Sequence, residues 1–166
     1  MNPSDQVVSL ELAKRLSELE VKQQSLFYWV DLIEPYLVPV ITDSDKKIFT
    51  ALTHDILPPT VFSALTVAEL LELLPNRITL KENEPYNNFN LRMERGLWVS
   101  EPPDSTFSNI RTSKFYSVNY LCDTTSLEMD WMFRPMIKNI CDENPANALA
   151  KMLIYLYEEG LIKNER

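Results

Sequence analysis

The stretch NPANALAKMLIYLYEEG, residues 144–160, carries the start, face and stop of an α-helix in one reading. Asn144 is a helix-capping residue, and Pro145 falls at the first helical position, where its missing N–H leaves no bond unmade. Leu149, Met152, Leu153 and Leu156 recur at helical spacing and make one apolar stripe. Gly160 supplies the left-handed residue that ends a helix, and Leu161 is placed to fold back on Leu156. This helix is expected to anchor the core.

Two further segments obey the same grammar. In Ser9–Leu19, Leu12, Ala13, Leu16 and Leu19 share a stripe, while Glu11, Lys14, Arg15 and Glu18 face elsewhere, with Ser9 as the cap. Thr66-Val67-Ala68-Glu69 has the form of a capping box, and Leu65 and Leu70 flank it as a hydrophobic staple. That helix should end near Leu74, because Pro75 disfavours helical geometry at the residue before it.

Between the helices the period falls to two. Phe89, Leu91 and Met93 alternate with Asn90, Arg92 and Glu94; Tyr116, Val118, Tyr120 and Cys122 alternate with Ser117, Asn119 and Leu121. Ile78 and Leu80 form a shorter example, and Leu26–Val30 is aromatic and β-branched. Leu127, Met129, Trp131 and Phe133 alternate too, as a strand or a helical turn, and Pro135 ends that stretch. Pro58-Pro59 and Pro102-Pro103 mark loops. The pattern is that of an α+β protein, with an antiparallel sheet of about four to six strands packed against two or three helices.

With 166 residues, 45% hydrophobic and 24% charged, the chain reads as a single globular domain spanning 1–166, with flexible ends at 1–6 and 163–166. Its net charge of −8 repels a phosphate backbone, so nucleic acid is disfavoured and another protein is the expected partner, with homo-oligomers compatible. No basic-then-apolar leader opens the chain, and no apolar run reaches a bilayer's width. Cys122 and Cys141 have no metal-type spacing and are expected as buried free thiols. These features place the expected protein in the cytoplasm.

Only two glycines, Gly96 and Gly160, and one histidine, His54, are present. Phosphate-cradling loops draw on glycine, and metal and acid–base sites draw on histidine. No catalytic residue, cofactor or metal site is therefore assigned, and the chain is expected not to be an enzyme. His54-Asp55 is read as a structural or surface pair, since neighbours in sequence need not meet in space. Asp123, Glu128 and Asp130 are read as a solvated turn, and Asp142 and Glu143 as favourable charge at a helix start. A carboxylate-based metal hydrolase is the faintest reading.

Two leads remain. In Leu12–Trp29, a helix followed by Lys22, Gln23 and Gln24 has the outline of a helix-turn-helix, with those three side chains as readers of DNA bases. Glu20 stands where the turn usually has glycine, and Phe27-Tyr28-Trp29 favours a strand, so core helix then strand is preferred. The surplus of aromatics, Trp29, Trp98 and Trp131 above all, is the second lead. Core filling is the ordinary use of such residues, and a partner-binding surface is the functional one.

Three stretches, Ser9–Val30, Thr66–Pro75 and Ala148–Ile162, together resemble small uncharacterised proteins of bacteria and of their phages and prophages. The resemblance covers less than a third of the chain and implies a bacterial or phage setting and a shared fold. It brings no activity and no site residue. The expected function is that of a non-enzymatic accessory protein that binds another protein, with DNA regulation through residues 12–24 as the alternative.

Overall fold

The computed structural model describes residues 3–21, 24–31, 33–40, 61–80, 88–100, 111–122 and 136–163, with backbone alone for 97–100 and 111–113. Three α-helices lie in this set: α1 (Leu10–Glu18), α2 (Val67–Leu73) and α3 (Pro145–Glu158). So do seven strands: β1 (Phe27–Val30), β2 (Tyr36–Pro39), β3 (Val61–Ser63), β4 (Arg77–Thr79), β5 (Asn88–Ser100), β6 (Arg111–Cys122) and β7 (Met136–Asp142). The fold is α+β, as the alternation of periods implies.

The helix ends follow the residues that mark them. Ser9 Oγ accepts from the Leu12 N–H, and Asn144 Oδ1 accepts from the N–H groups of Ala146 and Asn147. At Thr66 the capping box is complete, and α2 stops at Leu73 with Leu74 in extended geometry ahead of Pro75. Beyond α3, Gly160 takes φ 66°, the Leu161 N–H donates to the Leu156 carbonyl at 2.9 Å, and the Gly160 N–H donates to that of Tyr157 at 3.1 Å. That pair of bonds is a Schellman ending. The same pair closes α1, from Val21 to Leu16 and from Glu20 to Ser17, with Glu20 at φ 57° in the place glycine would take at no cost.

The strands divide between two antiparallel sheets instead of one: β2-β1-β3 and β4-β5-β6-β7. The four-residue β1 is fully used by its partners, with Trp29 between Leu37 and Phe62 in register. The second sheet is built on the β5–β6 hairpin, whose twelve register pairs run from Phe89↔Cys122 to Ser100↔Arg111. β7 escapes a period-two reading, because Ile137 and Ile140 both pack against the core although they are three residues apart. The register shift where β7 passes Asn119 and Leu121 explains this: the extra residue there lets both side chains face one way. The expectations on Leu127–Phe133, Pro58-Pro59 and Pro102-Pro103 lie outside the described residues.

α3 is the centre of the molecule. Leu149, Met152, Leu153 and Leu156 are fully buried as the stripe requires, and Ala146, Ala148, Ala150 and Ile154 are buried as well. One stripe does not suffice because the helix is covered on several sides, by α1, α2, β6 and β7. Each large aliphatic side chain so buried contributes about 1.5–3 kcal/mol. Asn144 and Asn147 also hold the start of the chain. Asn144 Nδ2 donates to the Val7 carbonyl at 3.0 Å, and Asn147 Oδ1 accepts from the Ser9 N–H at 2.8 Å. Val7 and Val8 are thereby buried against the α2 entry, where the Val8 N–H donates to the Leu65 carbonyl.

Candidate binding face

The four-stranded sheet has one face on α3 and one turned away from it. Strand alternation puts Val118, Tyr120 and Cys122 of β6 in the core, and these residues are 0–4% exposed. Tyr120 is wholly buried with its hydroxyl donating to the Pro75 carbonyl at 2.6 Å, and burial pushes its phenol well above the ordinary value. The same alternation puts Ser117, Asn119 and Leu121 on the far face.

Two polar rows cross that face in register. Arg92, Asn119 and Asn139 make one, on β5, β6 and β7; Glu94, Ser117 and Cys141 make the next. Arg92 Nε meets Glu94 Oε1 at 2.8 Å, and Ser117 Oγ donates to Asn139 Oδ1 at 2.6 Å. Both bonds run between the rows and leave out Asn119 at the centre of the first. Asn119 is only 9% exposed, and its Oδ1 is buried with no hydrogen-bond donor among the described residues. A buried acceptor left unmatched costs about 1–3 kcal/mol, so its presence asks for an explanation.

Past these rows the β5–β6 hairpin continues, among the described residues, as a two-stranded ribbon. Among those residues β4 pairs with β5 at Asn88–Asn90, and β7 pairs with β6 from Tyr116 to Leu121. The ribbon begins at Gly96, where the Phe115 ring lies across the strand. A Cβ on residue 96 would collide with Phe115 Cζ, so the absence of a side chain makes room for the aromatic.

The residues singled out from sequence do not gather at one place. Trp29 is half-buried, packs on the core and donates from Nε1 to the Val8 carbonyl at 2.8 Å. Trp98 stands opposite Ser113 in the ribbon. Trp131, His54 and the acidic group Asp123, Glu128 and Asp130 lie outside the described residues, as do Lys22 and Gln23. Gln24 is exposed, and the chain near it is not helical: Ser25 and Leu26 bond to Glu69, and β1 begins at Phe27. Core helix then strand is the arrangement found.

Asp142 serves the start of α3, accepting from the Asn144 N–H and pairing with Lys151 at 2.7 Å. Both cysteines are free; Cys122 is buried, whereas Cys141 is half-buried in the outer rows. Among the described residues no group of three or more His, Cys, Asp or Glu side chains gathers as a metal site, and no helix is long and apolar enough to cross a membrane.

The outer rows were half legible beforehand. Alternation in β6 marks Ser117 and Asn119 as facing away from Val118 and Tyr120, but only pairing with β5 and β7 brings Arg92 and Asn139 to their sides. No family model, curated protein or solved structure matches this chain.

Proposed function

We propose that this protein acts by binding another protein, without catalysis, as an accessory factor in a bacterial or phage setting, and that the outer face of the four-stranded sheet is its contact surface. The observation that carries the reading is Asn119, an amide nine-tenths buried in a polar face with no donor for its Oδ1 among the described residues. Oδ1 is closed to solvent as the chain stands, so a partner's N–H or O–H recovers its cost only as the Asn119 side chain turns outward on binding. The in-register neighbours Arg92 and Asn139 frame it with further donors and acceptors.

The test separates fold from binding. Leucine at Asn119 removes both the amide and its unmatched acceptor at similar size. Asn119→Leu should melt at the same temperature as the parent or a few degrees above it. As bait in lysate of the native host, it should lose at least tenfold of whatever the parent chain captures. Equal capture by the two proteins defeats the reading, and so does a marked fall in melting temperature, because the amide would then be holding the fold.

A further inference from the structure

We propose that two copies of this chain associate through the open edge of β5, strand against antiparallel strand, so that their four-stranded sheets join into one. The inference goes beyond the Asn119 face and stands independently of it.

The direction of the backbone identifies the edge. In an antiparallel ladder a residue's N–H and C=O point to one side, and those of the next residue to the other. The Leu91 N–H donates to the Asn76 carbonyl at 2.9 Å, on the β4 side. Met93, Arg95, Leu97 and Val99 therefore aim their backbone groups to that side too, and among the described residues β4 pairs with β5 no further than this. Arg92, Glu94 and Arg95 are exposed along the open lane.

Edges that stay single are ordinarily guarded by charge, proline or a bulge. On β5 the charged residues Arg92, Glu94 and Arg95 stand toward the β4 end, and Leu97-Trp98-Val99 beyond them is an unbroken apolar run. The β5–β6 register passes this run without a shift, so no bulge turns the edge aside. A two-stranded ribbon is also marginal in water by itself and gains from further strands.

The alternating donors and acceptors of such an edge admit an extended strand, and β5 of a second copy fits them. A two-fold axis on Met93 would set the second copy's Arg95 against Leu91, where Asn76 already sits. An axis on Glu94 or Arg95 would oppose like charges directly, which is destabilising. Axes on Gly96, Leu97 and Trp98 meet neither obstacle, and each sets the apolar run against the second copy's ribbon. Leu97 lies within one residue of all three. The contact is isologous and closes at two copies.

Sedimentation velocity on the full chain over a range of concentrations tests this. The wild type should reach dimer mass and no more, since a two-fold contact closes on itself. Leu97→Pro removes an N–H that points away from β6, so the hairpin keeps its ladder while the edge loses a donor beside the axis. Leu97→Lys supplies the charge that ordinarily guards an edge. Each should weaken dimerisation tenfold or more, with circular dichroism showing that the fold is kept. Asn119→Leu, away from the edge, should dimerise as the wild type does. A wild type that stays monomeric at high micromolar concentration overturns the proposal, as does undiminished dimerisation in whichever Leu97 variant folds. Loss of the dimer in Asn119→Leu overturns it too, by placing the contact on the sheet face.

Discussion

Glu69 Oε2 lies 2.9 Å from Ser25 Oγ, and this contact joins the first turn of α2 to the entry of β1, 44 residues away in the chain. The carboxylate is shared further. Oε2 also accepts from the Thr66 N–H at 2.7 Å, closing the capping box, and Oε1 accepts from the Leu26 N–H at 3.0 Å. A residue recognisable as a local helix cap is thus also a tertiary clamp between the two sheets' connecting segments.

Glu69→Ala should therefore cost more than loss of a cap alone. Thr66→Ala removes the cap hydroxyl and should lower stability by about 1 kcal/mol. Glu69→Ala leaves the part-buried Thr66 N–H and Ser25 hydroxyl without their carboxylate, breaks the exposed bond from Leu26, and should cost about 2–3 kcal/mol. Urea unfolding of the two variants measures the difference, and equal losses would show that the clamp to β1 contributes nothing.

Glu20 sits at φ 57°, a region that costs a non-glycine residue about 1–2 kcal/mol. Glu20→Gly should relieve most of this and raise the melting temperature by about 2–4 °C for a chain of this size. Gly160→Ala at φ 66°, with open space around it, should lower stability by about 1 kcal/mol through backbone strain alone. Calorimetric melting of both variants tests the pair; a Glu20→Gly protein that melts lower would locate a stabilising role in the Glu20 side chain.

Gly96 and Phe115 should be energetically coupled. Gly96→Ala drives a methyl into the Phe115 ring and should destabilise the hairpin base, whereas the same substitution in a Phe115→Ala background should be nearly neutral. A double-mutant cycle read by chemical denaturation should give a coupling of about 0.5–3 kcal/mol. Strict additivity would show that the ring moves aside without cost.

Tyr120 links stability to alkaline pH. Its buried phenol ionises above the ordinary phenol value near 10, so the unfolded chain loses its proton first. The stability from Tyr120 is present in full below about pH 10 and is lost as pH climbs toward the raised folded-state value. Tyr120→Phe should remove that part of the alkaline slope. It should also cost about 1–3 kcal/mol at neutral pH by stranding the Pro75 carbonyl. Denaturation midpoints at pH 8 and pH 11 for both proteins measure the two effects.

Helix positions and ends were legible because their signals are local. Ser9, Thr66–Glu69, Asn144-Pro145 and Gly160 act on backbone groups within four residues of themselves, so the reading needs no knowledge of the fold. The alternation of β5 and β6 was equally local, and with it the class, α+β. The division into two sheets was not, because β1 carries nothing that names β2 and β3 as its neighbours. Nor was β7, whose apolar residues match the core only after a register shift set against β6. The double duty of Glu69 and the polar rows that meet around Asn119 both depend on residues dozens of positions apart meeting in space. Such pairings are chosen by global packing, to which a pattern a few residues long is blind.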